Sequence, residues 1–379
     1  MFSGFVPLIA AGFFLGLAAG WVMYRSDFCV AGMFRDLFLF RRTVMLRSLL
    51  LLIVTTMILV ELLRRGGLIG LYPFPTLGSP SPGNLAGGIV FGAGMVLAGG
   101  CAAGTLYKMG GGSVTSCVAF IGMIAGSGMY AEFHPSWKKV LDGFTFLKPA
   151  VTLPQALHCD PALVILPIGL VSGLLFLRWR ATDSWHVASR ARGHLQPWKA
   201  ALCIALLGTL SYLLVGMPFG VTTSFAKAAA FLTSLAAPEH ASAVPFYQGV
   251  PLDYAAPFTG QAIRGGPGPR LDGIALIQFP LITGIILGAM AAALRVGEFR
   301  PYFRIPPRQY VSAFAGGILL ALGSRMTPGC NVWHLFGGLP ILTMQSFLFL
   351  FGLIPGAWLG SRLLTGLVLS SRPTPKEQS

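Results

Sequence analysis

Nine long apolar stretches, separated by short polar or Gly/Pro-rich segments, run along the 379-residue chain. An α-helix needs about 17 to 25 mostly apolar residues to cross the hydrocarbon core of a bilayer. The pattern therefore predicts an all-α polytopic membrane protein with about nine transmembrane helices. The stretches are residues 5–23, 45–63, 85–99, 114–130, 163–177, 200–217, 274–294, 310–323 and 341–368.

Two of these stretches, 85–99 and 310–323, are shorter than a full crossing requires, and each ends in a Gly/Pro-rich turn that carries a cysteine. Paired short segments of this kind in the two halves of a chain point to a substrate site near the membrane midplane. We therefore predict short re-entrant helices beside both turns. A further apolar piece at 221–237, bracketed by Pro218 and Pro238, is also predicted to re-enter the membrane.

The composition agrees with a membrane protein and excludes most other classes. Charged residues make up 10% of the chain, apolar residues make up 54%, and the mean hydropathy is +0.72. So few charges cannot cover a water-soluble surface. Soluble enzymes, disordered tails and nucleic-acid-binding modules are therefore excluded, and the lipid bilayer is the surrounding medium.

The net charge of +15 is first of all a topology signal. When alternate connecting segments are assigned to the cytoplasm, that side holds 18 Lys and Arg residues against 8 on the opposite side. Positive charge collects on the cytoplasmic side of membrane proteins. We therefore expect the N-terminus to lie outside and the C-terminus to lie in the cytoplasm.

The two halves of the chain resemble one another weakly. The segments 20–29 and 98–104 of the first half have counterparts at 216–225 and 327–330 in the second. With the fifth span as a connector, the halves would run in opposite senses, which is an inverted repeat. We treat residues 1–379 as one transport domain. Its predicted parts are a first half at 5–160, a connecting span and basic loop at 161–198, a second half at 199–368, and an external Gly/Pro-rich loop at 243–273.

Three cysteines, Cys29, Cys101 and Cys330, each end an apolar span beside a break and before a predicted short helix. A helix N-terminus presents unpaired N–H groups and the positive end of a dipole, which favours an anion. A thiol is a weak donor and a soft acceptor. Together these features suit an anion with a soft sulfur or selenium atom, so we predict that the three thiols line the substrate path.

Other residues near the breaks are secondary candidates for the same path. Charged residues beside broken helices are functional candidates by default, although Lys108 also fits a purely topogenic role. His334 is more simply explained as a packed, hydrogen-bonded side chain, and Cys117, Cys159 and Cys203 as structural residues. The secondary candidates are Gly100, Gly104, Lys108, Thr222, Thr223, Arg325, Gly329 and Asn331.

No signature of enzyme chemistry stands out. The chain has no Walker A sequence, no Gly-x-Ser-x-Gly elbow, no Cys-x-x-Cys pair and no cluster of zinc ligands. We therefore expect a transporter without catalytic residues, metal or cofactor. Two alternatives stay open at this point: a membrane thiol enzyme that transfers sulfur or oxidises thiols, and a transporter of a soft metal ion.

Three motifs carry a resemblance to a known family. They are Arg25-Ser-Asp-Phe-Cys29-Val-Ala-Gly-Met-Phe-Arg35-Asp36, Leu97-Ala-Gly-Gly-Cys101-Ala-Ala-Gly-Thr-Leu-Tyr107 and Gly329-Cys330-Asn331. Through them the chain resembles the YeeE/YedE (sulphur-transport) family of bacterial inner-membrane proteins over roughly residues 5–365. The segment 326–340 around the third motif is more similar to the YedE branch, which is associated with selenium metabolism.

The resemblance implies a nine-span, pseudo-symmetric, hourglass-like fold with re-entrant helices. It also implies uptake of thiosulfate, or of a related sulfur or selenium anion, along Cys101, Cys330 and Cys29, with Cys29 nearest the cytoplasm. Family members often work with a small TusA-like sulfurtransferase in the cytoplasm, so such a partner is expected here.

Overall fold

The computed structural model describes residues 3–366 apart from 75–77, 79, 143–149, 183–184, 188 and 190–192. Several charges counted in the topology prediction, namely Lys148, Arg190, Arg192, Arg372 and Lys376, lie outside these residues, as does the end of the ninth predicted span at 367–368. The described chain is almost entirely helical. Its α-helices are α1 (Val6–Ser26), α2 (Val30–Phe40), α3 (Val44–Arg65), α4 (Pro82–Leu97), α5 (Ala102–Gly110), α6 (Val114–Asp142), α7 (Leu153–Ala156), α8 (Pro161–Ala181), α9 (Pro197–Val215), α10 (Thr222–Ala236), α11 (Pro238–Ala243), α12 (Pro245–Gln248), α13 (Gly273–Val296), α14 (Pro307–Met326) and α15 (Met344–Leu364).

Three shorter helical pieces complete this set: the 3₁₀ turns Ser3–Phe5 and Leu339–Ile341, and a π-type helix at Val332–Gly338. In the described part of the chain, eight segments are long and apolar enough to cross a membrane. They contain α1, α3, α4, α6, α8, α9, α13 and α15. The all-α polytopic class is therefore confirmed.

The eighth predicted span, 310–323, corresponds to α14, and its predicted shortness is wrong. The apolar stretch 310–323 is extended by polar residues at both ends into a helix of 20 residues. Arg325 therefore lies in the last turn of α14, not in a break. The other short stretch is confirmed, because α4 has 16 residues and ends before the turn that holds Cys101.

Glycines place several helix pairs in backbone contact. On α1, a Cβ added to Gly16 or Gly20 would meet the carbonyl groups of Leu281 and Ile285 on α13, and Gly284 on α13 faces α1 in the same way. In a membrane, where apolar burial gives no advantage over lipid, such close packing holds helices together. The 49 glycines of the chain are thus partly explained by helix–helix packing, not by loops alone.

The helix pairings repeat when the two halves are exchanged. The contact of α1 with α13 has its counterpart in α9 with α3, and α4 with α15 has its counterpart in α14 with α6. The short helices follow the same rule, since α2 packs on α15 as α10 packs on α6. In this exchange α5 corresponds to the π-type helix. This is the packing that a pseudo-two-fold repeat produces, while the opposite sense of the halves across the membrane stays a prediction.

The segment 243–273, expected to be a loop, contains a small folded unit. Strands β1 (Leu252–Ala255) and β2 (Ala262–Gly265) pair antiparallel. The hydroxyl of Tyr254 donates to the carbonyl of Val215 at the end of α9, at 3.0 Å. Lys227 of α10 is buried and donates to Asp272 at 2.7 Å. The segment 243–273 is therefore anchored to α9 through its hairpin and to α10 through Asp272.

Candidate functional site

Each of the three predicted cysteines lies immediately before a helix. Cys29 is the N-cap residue of α2, and Cys101 is the N-cap residue of α5. Cys330 precedes Asn331, the N-cap residue of the π-type helix. All three thiols are buried, with exposures of 2%, 2% and 0%. The helix breaks that the sequence predicted are therefore present in the structure, and each break places a cysteine in the interior.

Backbone N–H groups face these sulfur atoms. The N–H of Gly104 donates to the Cys101 sulfur at 3.3 Å. The N–H groups of Gly32 and Cys101 face the Cys29 sulfur, and those of Val332 and Trp333 face the Cys330 sulfur. Unpaired N–H groups in a first helical turn stabilise negative charge nearby. The arrangement favours an anion beside each thiol without fixing a full positive charge there.

Two of the cysteines are neighbours in space because a glycine separates them. A Cβ added to Gly104 would lie 2.7 Å from the Cys29 sulfur and 3.2 Å from the Cys101 sulfur. The first distance is too short for a real Cβ, and the second is tighter than an ordinary van der Waals contact. The glycine, which was predicted only as a secondary candidate, leaves the space in which the two sulfurs meet.

Asn331 connects this pair to the third cysteine. It follows Cys330 in the chain, and its side-chain amide lies beside the Cys101 thiol. The same region is held together by Phe28, which packs edge-on against Phe336 of the π-type helix with ring centroids 6.2 Å apart. The structure therefore brings together the breaks of the two halves, although they are more than 200 residues apart in the chain.

Arg325 and Thr222 form a second polar contact in the interior. The Arg325 guanidinium of α14 donates to the Thr222 hydroxyl in the first turn of α10. Its Nε is enclosed and has no hydrogen-bond partner among the described residues. Arg325 also lies close enough to Cys330 to interact with it electrostatically. Thr223 is half-buried in the same turn of α10, one residue further along.

Lys108 and Gly99 shape the break before Cys101. Gly99 has a positive φ of +72°, a conformation that glycine adopts without strain. The Lys108 ammonium donates to the Gly99 carbonyl at 2.8 Å, and it lies close enough to Cys29 to interact with it electrostatically. A Cβ on the adjacent Gly100 would lie 3.2 Å from the Thr105 nitrogen. Lys108 therefore closes the break, while its topogenic role stays a prediction.

The imidazole of His334 makes hydrogen bonds that stabilise the corresponding helix break before Cys330. Its Nε2 lies 2.9 Å from the Thr327 carbonyl, so this nitrogen carries the proton. Its Nδ1 therefore accepts from the Ser346 hydroxyl at 3.0 Å. A Cβ on Gly329 would lie 3.1 Å from the same Nε2. His334 is the packed, hydrogen-bonded residue that was expected, and it keeps the turn in place.

A cavity of about 1030 Å³ lies next to Cys29. Gly32, whose N–H faces the Cys29 thiol, is part of its lining. Tyr107 donates a hydrogen bond to Asp27 at 2.7 Å on the same wall. Its lining also holds three acidic side chains, Asp27, Asp36 and Glu298. Five basic side chains outnumber them, so the net charge of the lining is positive and favours an anion. The basic residues are Arg25, Arg35, Arg42, Lys108 and Arg300.

Some of these residues were missed from the sequence. Gly32 had a usable signal, because Cys29-Val-Ala-Gly32 repeats the spacing of Cys101-Ala-Ala-Gly104. Tyr107 and Asp27 had none, because their contact joins α5 to the end of α1. The remaining cysteines lie elsewhere: Cys117 is half-buried in α6, Cys159 is half-buried before α8, and Cys203 is exposed on α9.

The geometry bears on the two alternatives as well. Within the described residues, no group of three or more His, Cys, Asp and Glu side chains could hold a metal ion. A thiol enzyme would need a second thiol close to the first. Cys29 and Cys101 supply such a pair in space, although the sequence has no Cys-x-x-Cys motif.

A polytopic helical bundle with broken helices that meet at buried thiols is typical of a membrane transport protein. The sulphur transport family model matches residues 25–359, so the chain belongs to that family.

Related proteins agree with this assignment. The chain is 28% identical to the thiosulfate transporter TsuA of Spirochaeta thermophila, over 93% of this chain and 97% of the relative. It is 26% identical to the thiosulfate transporter TsuA of Escherichia coli, over 94% and 95%. It is also 27% identical to the probable transporter YedE of Salmonella typhimurium, over 44% of this chain and 37% of that protein.

Proposed function

We propose that the protein takes up thiosulfate, or a closely related sulfur or selenium anion, along a path lined by Cys29, Cys101 and Cys330. The observation that carries the proposal is the arrangement of the three buried thiols. Each faces backbone N–H groups at the start of a helix. Gly104 separates two of them, and Asn331 reaches from the third towards Cys101.

The thiols and the backbone N–H groups suit an anion that moves through the protein, not one that is held tightly. Moving a bare ion into an idealised low-dielectric medium costs on the order of tens of kcal/mol. One helix terminus returns at most about 2 kcal/mol. Several helix termini and polar side chains must therefore stabilise the ion together. Sites along a path must also release the ion. Neutral thiols in series meet both needs better than fixed arginines would.

The names of the two full-length relatives support thiosulfate as the substrate. The similarity of the segment 326–340 to the YedE branch supports a related selenium anion equally well. Both species present a soft atom and a negative charge, which is the combination that a thiol beside backbone N–H groups accommodates.

The direction of transport in this proposal is inward, across the bacterial inner membrane. The bias of Lys and Arg supports a periplasmic N-terminus and a cytoplasmic C-terminus. With that orientation the basic cavity beside Cys29 opens to the cytoplasm. Reporter enzymes fused to the C-terminus and to the segment 243–273 test it, because they should be active on opposite sides of the membrane.

A small TusA-like sulfurtransferase is the proposed cytoplasmic acceptor of the imported sulfur. The sequence resemblance supports this partner, and the basic cavity next to Cys29 supplies a place where the anion would leave the path. Co-purification of the detergent-solubilised protein with such a sulfurtransferase tests the association. Recovery equal to that from control membranes would contradict it.

Uptake by the purified protein tests the function as a whole. Proteoliposomes that contain the protein should accumulate radiolabelled thiosulfate faster than empty vesicles do, and excess unlabelled thiosulfate should suppress the signal. Parallel assays with sulfate and selenite identify the preferred anion. Uptake equal to that of empty vesicles for all these anions would contradict the proposal.

A further inference from the structure

Asn331 is exceptional among the buried amide side chains of the described chain. It is fully buried, with 0% exposure. Neither its Nδ2 nor its Oδ1 makes a well-aligned hydrogen bond with a described residue, although the amide approaches the Cys101 thiol. Buried polar side-chain atoms nearly always have a partner in proteins, so a buried amide with both ends unpaired calls for an explanation.

The other buried amides show that the fold normally satisfies such groups. Asn84 accepts a hydrogen bond from the backbone N–H of Ser81 at 2.8 Å. Gln278 accepts from both the N–H and the hydroxyl of Ser224, each at 3.1 Å. Gln345 leaves only its Nε2 unpaired. Single buried polar atoms of Thr105, Arg325 and Trp333 are unpaired as well, but Asn331 differs from the other buried amides of the described chain because both ends of its side chain are unpaired.

The location of Asn331 indicates what its amide would meet. The side chain lies beside the Cys101 thiol, and the residue directly follows Cys330. An anion that moves between these two thiols would pass the amide at close range. The amide nitrogen is a donor without charge, so it can bind an anionic oxygen without holding it as strongly as a guanidinium would.

We propose that Asn331 determines specificity, by donating a hydrogen bond from Nδ2 to an oxygen of the anion while a neighbouring thiol contacts its sulfur or selenium atom. The inference rests on the proposed transport function and deepens it. It defines the substrate class as anions that carry both a soft terminal atom and hydrogen-bond-accepting oxygens. Thiocyanate lacks the oxygens and sulfate lacks the soft terminal atom, so both are poor ligands of this site.

The test measures uptake of radiolabelled thiosulfate into proteoliposomes, with unlabelled thiosulfate or thiocyanate as competitors. Asn331→Leu keeps the approximate volume of the side chain but removes the donor. Loss of a hydrogen bond to a charged group corresponds to about a tenfold or greater weakening. We expect about tenfold slower uptake at low substrate concentration. We also expect the advantage of thiosulfate over thiocyanate as a competitor to shrink by about tenfold.

Isosteric charge variants supply the matched control. Asn331→Asp places a carboxylate beside the path and should abolish uptake by repelling the anion. Asn84→Asp keeps the oxygen that accepts from Ser81, so uptake should be retained. Where Asn331→Leu does not yield a monodisperse protein, Asn331→Ser, whose shorter side chain reaches less far, is measured instead, and its advantage of thiosulfate over thiocyanate as a competitor should be smaller than that of the wild type.

The outcomes separate this inference from the proposed function. Wild-type vesicles that accumulate no thiosulfate would overturn the transport function itself. Wild-type transport together with an unchanged competitor ratio in folded Asn331→Leu would overturn only the role of Asn331. A purely structural role would lower the melting temperature and leave that ratio unchanged, which also counts against the inference.

Discussion

The sulfur atoms of Cys29 and Cys101 meet across the missing side chain of Gly104, although the two cysteines are 72 positions apart in the sequence. One sulfur belongs to the break after α1 and the other to the break after α4. Two thiols that share one small space form a continuous soft surface. Any change that fills this space acts on both thiols at once.

Gly104→Ala is therefore expected to block the path with a single methyl group. The added Cβ would lie 2.7 Å from the Cys29 sulfur and 3.2 Å from the Cys101 sulfur. Thiosulfate uptake into proteoliposomes should fall by about tenfold or more. The matched control is Gly208→Ala in α9, where an added Cβ meets nothing within 4 Å. Equal uptake by both variants would mean that this space lies off the path.

The same proximity predicts a cross-link between the two thiols. Diamide should join Cys29 and Cys101 in a disulfide, with the two electrons and two protons passing to the azo bond of diamide. Mass spectrometry of protein digested without reduction should detect the linked peptides, and uptake should fall until dithiothreitol restores the thiols. Cys117 lies in α6 and should stay unlinked. Unlinked Cys29 and Cys101 peptides after full exposure to diamide would contradict the geometry.

Arg325 is expected to attract the anion towards Cys330. Arg325→Gln removes the charge and should raise the half-saturating thiosulfate concentration by about tenfold, because hydrogen bonds to charged groups contribute about 1.5–3 kcal/mol. The maximal rate should change little. Arg308→Gln, at the exposed start of the same helix, is the control. An unchanged half-saturating concentration in Arg325→Gln would assign Arg325 a structural role only.

His334 is expected to act on stability more than on transport chemistry. His334→Phe keeps the stacking on Phe349 but leaves the Thr327 carbonyl without its donor. An unpaired buried polar group costs about 1–3 kcal/mol, so thermal unfolding in detergent should occur several degrees lower. His240→Phe removes only an exposed contact with Glu132 and should leave unfolding unchanged. Identical unfolding curves for His334→Phe and the wild type would contradict a stabilising role for the hydrogen bonds of His334.

Much of the fold was predictable because membrane insertion leaves a strong mark on the sequence. All nine apolar stretches lie largely within helices, and the breaks before Cys101 and Cys330 were predicted from their glycines. The length of α14 was mispredicted because Arg325 is polar but helical, so hydropathy ended the span too early. The hairpin at 252–265 was missed because Gly and Pro signal turns more strongly than short strands.

The individual residues of the site could be predicted from the sequence, but their arrangement in space could not. The sequence shows that Cys29, Cys101 and Cys330 occupy similar settings. It does not show that Asn331 approaches Cys101, because that contact joins the two halves through tertiary packing. The role of Gly104 was hidden for the same reason, since a glycine reveals its purpose only through the atoms that surround it.

The central claim is that the buried thiols themselves carry the anion, and Cys101 tests it most directly. Proteoliposomes with wild-type protein, Cys101→Ala or Cys203→Ala at equal amounts should be compared for initial uptake of radiolabelled thiosulfate. Cys203 is exposed on α9, far from any break, so its variant should match the wild type. Cys101→Ala should reduce uptake by at least about tenfold, while undiminished uptake by a folded Cys101→Ala protein would contradict the account.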